Sequence, residues 1–447
     1  MICITDKKDC CGCSACISIC PKSCILLKKD SEGFWYPYVD SSLCIGCHLC
    51  EKVCPEINPY DEQAPIKTVA AINQDNDIRR VSSSGGVFFA IAKQVINQGG
   101  VVFGARFDNS WQVVVDFTEK VGGLSAFRGS KYVQARIENA YKDCETFLKS
   151  GKIVLFSGTP CQISGLLHYL RVSYSNLITL DFICHGVPSP LVWSEYLNEA
   201  VEIGQKILLT RGFRRKVGFL QFRNYQVGLN DDPQRINLYS SHGQNLFMRS
   251  FLGNLSIRPS CFSCKAKKGR SHADITLADF WGIHSYLPRM SDDLGTSLVL
   301  LNSEKGVKAF PIDQLEFKAV SIDALRANPA FFNSVKPHNH RSLFFNSLAS
   351  SESVHALMEK CLRPSIRQRY LRLKYLPYSI SSDLRRLCNR KHFQKSRNHH
   401  LFDYYKLVRI VNNTTDIQLT EVSFRDKSKG WSKYRLCLSF SLKPKSK

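Results

Sequence analysis

The rhythm of apolar and polar positions changes along this 447-residue chain, and the changes predict its elements. IKTVAAI (66–72), VVFGARF (101–107), WQVVVDF (111–117), KIVLFSG (152–158) and LITLDFICHG (177–186) are short, nearly continuous apolar runs, the pattern of buried strands. Between them, SSSGGVFFAIAKQVINQGG predicts a helix of about 13 residues, started by serine and stopped by Gly-Gly. IENAYKDCETFLKSG has apolar residues at helical spacing, and another helix opens after the SGTP loop with Cys161 at its mouth. From about 66 to 200 this order predicts an α/β sheet with functional loops at strand ends. Residues 205–300 are less regular but hold two further strand-like runs, ADITLADFWG and TSLVLLN. Beyond about 335 the pattern weakens, and 363–400 reads as basic helices or a partly disordered arm.

Length allows roughly three domains of ordinary size. No apolar stretch approaches the ~20 residues a membrane helix needs. The start, MICITDKKDC, has no basic stretch leading into an apolar core, so the expected location is the cytoplasm. The formal charge of +23 is unevenly placed: residues 360–397 hold twelve Lys and Arg against one acid, Asp383. A nucleic-acid-binding protein with structural clusters is one reading of that tail, but it has no recognised nucleic-acid motif. No specific nucleic acid is expected as a partner, and the tail offers at most weak association with a membrane surface.

Eleven of the nineteen cysteines fall in the first 54 residues, a crowding that in a cytosolic protein points to metal binding. Cys10, Cys13, Cys16 and Cys20, followed by Pro21, form C-x2-C-x2-C-x3-C-P, and Cys44, Cys47, Cys50 and Cys54, followed by Pro55, repeat it. This is the spacing of two-cluster ferredoxins, in which the fourth cysteine of each run ligates the other cluster. Cys10, Cys13, Cys16 and Cys54 are thus expected to hold one 4Fe-4S centre, and Cys44, Cys47, Cys50 and Cys20 the second. Cys3, Cys11 and Cys24 fall outside the motif and read as small buried or incidental residues. The following loop, PEINPYDEQAP, reads as a linker.

Chemistry beyond the ferredoxin segment is less defined by spacing. Ser83, Ser84, Gly85 and Gly86 precede a helix, where a phosphate could meet backbone N–H groups and the helix dipole; a plain serine cap is the commoner use. Lys131, in the polar stretch RGSKYVQA, could pair with a phosphate or stay solvated. Cys161, Cys184 and the Cys261–Cys264 pair lie in loop-like contexts, and the first two follow apolar strands that could bring them to one sheet edge. They could share a cluster or a zinc, or be structural thiols. Cys161 could also be a helix-activated nucleophile with His168 or His185 as base, although His168 lies about two turns along the helix. Lys265, Lys267, Lys268 and Arg270 could offset the charge of a thiolate-bound centre or form a solvated basic turn.

In order, the ferredoxin pair, SSSGG, RGSKYVQA, FSGTPCQ, CHGVPSP, CFSC and ADITLADFWG resemble the beta subunit of coenzyme F420 hydrogenase and dehydrogenase, a family that includes 7-hydroxymethyl chlorophyll a reductase. The resemblance covers about residues 5–310. It implies an α/β (overall α+β) protein: a 4Fe-4S ferredoxin-type domain at 1–60, a flavin-binding oxidoreductase region at 66–150 and 151–310, and a basic, mainly helical extension at 311–447. It also implies FAD held by Ser83, Ser84, Gly85, Gly86, Lys131, Tyr132, Gly158 and Thr159, and a third 4Fe-4S cluster on Cys161, Cys184, Cys261 and Cys264. The implied activity passes electrons between the clusters and a two-electron substrate, in bacterial polysaccharide biosynthesis for many relatives. The partner is then a redox protein or a small electron donor. Ala278-Asp279 stands where relatives often have Gly-Asp. A flavin-free, polyferredoxin-like subunit is the competing expectation.

Overall fold

The computed structural model describes residues 1–211, 219–222, 225–229, 235–241, 245–292, 294–364, 417–423 and 435–442, with side chains for 1–201, 245–292 and 294–364. Residues 365–416, where most of the basic-arm reading falls, lie outside the described residues.

The N-terminal module is built on two short helices, Ala15–Ile19 and Leu49–Lys52, and a hairpin of β1 (Ile25–Lys29) and β2 (Trp35–Val39). An eight-stranded sheet follows, formed by β3 (Lys67–Asn73), β4 (Val101–Phe107), β5 (Val113–Thr118), β6 (Val154–Ser157) and β7 (Leu177–Phe182) with three later strands. A separate sheet contains β8 (Phe219–Phe222), β9 (Tyr225–Leu229) and β10 (Arg235–Ser241). The main sheet is completed by β11 (Ile275–Asp279), β12 (Ser297–Leu301) and β13 (Leu315–Ala319), and the separate one by β14 (Ile417–Ser423) and β15 (Arg435–Leu442). The C-terminal segment therefore contributes strands as well as helices.

The main sheet runs β13-β3-β12-β11-β7-β6-β4-β5. Its centre is parallel, with β11 beside β7, β7 beside β6 and β6 beside β4, while β12 runs antiparallel to both β3 and β11. The continuous apolar runs are explained by burial on both faces. On β4, Val101 and Phe103 face a core with helices Ala140–Lys149 and Pro160–Leu170, whereas Val102 faces helix Val87–Asn97; Val154 and Phe156 of β6 divide from Leu155 in the same way.

Helix Val87–Asn97 departs from the serine-cap expectation: its N-cap is Gly86, at φ +81°, with no side-chain cap. The serines are used elsewhere. Ser82 Oγ donates to the Ile78 carbonyl, Ser83 Oγ accepts from Ser130 N–H, and Ser84 Oγ donates to the Thr296 carbonyl.

The ferredoxin-like module shares its core with the sheet domain. Cys13, Ala15 and Val53 pack with Ile163, Leu166 and Tyr141. Gly165, in the middle of helix Pro160–Leu170, makes this approach possible: a Cβ there would lie 2.8 Å from Cys13 Cβ and 2.9 Å from its sulfur. On the other side, Arg341 makes a bidentate ion pair with Glu32, both partners largely buried. The linker is pinned too. Glu62 pairs with Lys268 and Arg270, Gln63 N–H donates to the Lys268 carbonyl, and the Gln63 side chain donates to Asn302.

Candidate functional site

Tight loops in the N-terminal module bring its cysteines into two groups. Gly12, at φ +75°, and Ser14, at φ 64°, turn the first run back on itself, and Gly46 and His48 do the same for the second. Cys10, Cys13, Cys16 and Cys54 line one cavity. Cys20, Cys44, Cys47 and Cys50 line another, with Cys24 beside them, its sulfur 3.4 Å from that of Cys20. The grouping is the interleaved one that the spacing predicts. Burial pushes the Cys16 thiol well up, as it does Cys54. A metal centre must therefore displace protons to bind there.

The loops after β6 and β7 leave one edge of the sheet, and the CFSC segment, which precedes β11, packs against them. Thr159 caps helix Pro160–Leu170 with a capping box completed by Gln162, and Pro160 opens its first turn, which fixes Cys161 at the helix mouth. The CHG turn after β7 lies against the CFSC segment. A Cβ on Gly186 would stand 2.9 Å from Ile257 and 3.4 Å from Cys261, so only hydrogen fits.

As a result Cys161, Cys184, Cys261 and Cys264 line a single cavity, from three loops separated by up to a hundred residues in sequence. Among the described residues no three His, Cys, Asp or Glu side chains converge on a position for one metal ion.

Electrostatics oppose the nucleophile reading. The Cys161 thiol is pushed well up by its interaction with Cys11 and by burial, whereas a reactive thiol needs the opposite shift. His168 does not reach it: Nδ1 bonds the Ser164 carbonyl and the ring packs on Tyr60. His185 bonds Asn254, and burial lowers its pKa. Burial also raises Cys184 to about 12 and Cys264 to about 11.

Of the cations in the KAKKGR run, Lys267 is the buried one. It donates to the carbonyls of Cys184 and Ala330, beside the sulfur atoms. Lys265 donates to the Glu56 carbonyl, and Lys268 and Arg270 serve the linker.

Sequence reasoning missed several residues of this site. Cys11, set aside as a small buried or incidental residue, lines the cavity and interacts with both Cys13 and Cys161, so it bridges the two cysteine groups. Glu56 and Asp181 also line it. The acid in LITLDF is a signal that could have been read, since a carboxylate inside a buried strand needs a reason.

The eight residues expected around FAD are brought together in part. Ser83 and Ser130 bond each other, joining the SSSGG and RGSKY loops, and Gly85 N–H donates to Ser297 Oγ, where a Cβ would stand 2.4 Å from the Ala71 carbonyl. Tyr132 lies near enough to Asp279 for its hydroxyl pKa to be raised, after burial, by that charge. Lys131 is buried and donates to the carbonyls of Ala126 and Arg128, and burial lowers its pKa to about 7. Thr159 is directed elsewhere: its hydroxyl is 3.2 Å from Cys161 sulfur. Gly158 N–H is bonded to the Leu180 carbonyl. The uncapped start of helix Val87–Asn97, with no acid in its first turn, fits a phosphate.

Residues 151–323 match the family described as the C terminus of the coenzyme F420 hydrogenase/dehydrogenase beta subunit, and residues 9–57 match a 4Fe-4S dicluster domain. Among solved structures, a chain of the F420-reducing NiFe hydrogenase complex from Methanosarcina barkeri is similar at 14% identity, with a TM-score of 0.40, over 65% of this chain and 95% of that one. No curated protein matches the chain. Among the described residues no helix is long and apolar enough to cross a membrane.

Proposed function

We propose that this chain, which matches the C terminus of the coenzyme F420 hydrogenase/dehydrogenase beta subunit over residues 151–323 and a 4Fe-4S dicluster domain over residues 9–57, is a flavoprotein oxidoreductase with three 4Fe-4S centres. Clusters, when bound, supply one-electron steps, and FAD supplies the exchange between one and two electrons. The observation that carries this reading is the convergence of Cys161, Cys184, Cys261 and Cys264 on one cavity that also touches Cys11.

The protein's own residues have separable tasks. The two N-terminal groups, Cys10, Cys13, Cys16, Cys54 and Cys20, Cys44, Cys47, Cys50, hold the ferredoxin-type centres. Lys267 places a positive charge beside the third cysteine group, and the Thr159 hydroxyl orients the Cys161 sulfur. Ser83, Ser84 and Gly86 would present backbone to a pyrophosphate at a helix start that no side chain caps, with Gly85 N–H held by Ser297 Oγ and Tyr132 at the side of the site. Residues 1–60 act as the electron module, 66–310 as the oxidoreductase body and 311–447 as its extension. A redox protein or a small electron donor serves the exposed Cys47 side of the module. The substrate is one that takes or gives two electrons, in the polysaccharide-biosynthetic setting that the resemblance implies.

A flavin-free electron-transfer subunit is the second reading, favoured by Lys131 and Thr159 making their hydrogen bonds within the chain. Anaerobic purification with assay of FAD, iron and sulfide separates the two. About twelve irons per chain with bound FAD is the expected result, about eight would refute the third centre, and iron without flavin would select the second reading. Cys161→Ser should remove about four irons and leave the two ferredoxin-type EPR signals.

A further inference from the structure

Arg258 has a side chain fully removed from solvent, among the largest so buried in the described chain. A guanidinium offers five N–H donors and cannot shed its charge, so its surroundings must supply both acceptors and negative charge. The acceptors are on three parts of the fold. Nε donates to the Cys10 carbonyl at 2.8 Å, Nη1 to Gln134 Oε1 at 3.1 Å, and Nη2 to the Trp35 carbonyl at 3.0 Å and to Cys10 sulfur at 3.5 Å. Tyr36 and Phe34 turn ring faces to it, at 4.3 and 5.4 Å.

The negative charge is the unusual part. No carboxylate among the described residues forms an ion pair with Arg258, although Glu56 feels its charge. The ionisable group that its N–H reaches is the Cys10 sulfur. The ferredoxin loop is fitted to Arg258: Gly12 lies so close that a Cβ would stand 3.1 Å from the guanidinium carbon and 2.4 Å from Gln134 Nε2.

We infer that Arg258 is a built-in counter-charge for the centre on Cys10, Cys13, Cys16 and Cys54, raising its reduction potential so that this buried centre can accept an electron. The inference rests on the cysteine grouping proposed above. A four-thiolate iron-sulfur centre is anionic, and reduction adds one more negative charge with no bond made or broken. A fixed cation donating to one ligand sulfur stabilises the reduced form more than the oxidised one, and hydrogen bonds to sulfur and burial are recognised controls of cluster potential. The same residue also anchors the next cysteine group, because its N–H bonds the Val187 carbonyl and its carbonyl accepts from Cys261 N–H. Arg258 is thus a positioning residue shared by two centres.

The test is an EPR-monitored redox titration of the full chain, loaded with iron and sulfide, for the unaltered protein, Arg258→Met, Arg258→Gln and Arg258→Lys. The uncharged variants should favour oxidation of one centre by at least about tenfold, a fall of about 59 mV for a one-electron couple, with the others unmoved. Arg258→Lys should recover most of the shift. Unchanged potentials at full iron content, or an equal shift in every centre, would overturn the inference. Loss of that centre's iron from both uncharged variants but not from Arg258→Lys would support a need for the charge; loss from all three would overturn it. Cys10→Ser separates the premise from the inference, because two intact ferredoxin-type centres in that variant would refute the grouping of cysteines, not the role of the cation.

Discussion

Asp181 lies on β7, 2% exposed, and lines the four-cysteine cavity. One carboxyl oxygen, Oδ1, has no hydrogen-bond partner among the described residues, while Ser271 and Thr276 hydrogen-bond the side chain. Burial raises its pKa from 3.8 to about 7, against the smaller downward pull of those two residues. Three units at about 1.4 kcal/mol each make ionisation of this group in the folded protein cost about 4 kcal/mol. The sign follows from proton counting. Between pH 3.8 and about 7 the folded chain holds a proton that the unfolded chain has lost, so the stabilisation is fully present below 3.8 and is lost as pH rises through 7. A negatively charged group in the cavity would move the midpoint further up. Infrared difference spectra between the unaltered protein and Asp181→Asn should show a protonated-carboxyl band at pH 5 that disappears with a midpoint at or above about 7. The thermal midpoint of the unaltered protein should fall, relative to that of the variant, between pH 5 and 8. A carboxylate already ionised at pH 5 would refute the reasoning.

Three further outcomes are expected. Gly165→Val should push helix Pro160–Leu170 away from Cys13, lowering iron content or broadening the EPR signal of that centre while the second centre stays intact. Arg341→Met leaves Glu32 buried without its partner and should cost about 3–5 kcal/mol in denaturant unfolding, while Arg341→Met with Glu32→Leu should recover much of it. Lys131 is held at about 7, below its ordinary 10.5, so the penalty for burying its charge is full below pH 7 and is relieved as pH rises from 7 to 10.5. The unaltered protein should therefore gain stability across that range relative to Lys131→Met, as read from thermal midpoints.

Local order was the legible part of this fold. The strands at 67–73, 101–107, 154–157 and 177–182 stand where continuous apolar runs put them, because a sheet covered on both faces needs that lack of alternation. The neighbours of β12 were not legible, since nothing in TSLVLLN says that it inserts antiparallel between β3 and β11. The site divides in the same way. The ferredoxin cysteines are close in sequence, so spacing alone carries their grouping. The third group depends on two parallel strands ending side by side, which the apolar runs permit without requiring. The place of Cys11 beside the third cysteine group was not legible, because its neighbour Cys161 lies far along the chain. Nothing in the spacing around Arg258 singles it out, and only its removal from water shows that it has a task. The SSSGG serines failed as caps because distant backbone, at Thr296 and Ser130, had first claim on their hydroxyls.

The pinned linker changes how the ferredoxin-like module should be thought of. With Glu62 and Gln63 tied to the KKGR turn, Gly165 against Cys13 and Arg341 on Glu32, the module is a splinted part of the body and not a tethered carrier that swings between docking points. Transfer between its centres and the body then involves no diffusive search. Its rate should be indifferent to solvent viscosity, which can slow only encounters with molecules that come from outside the chain.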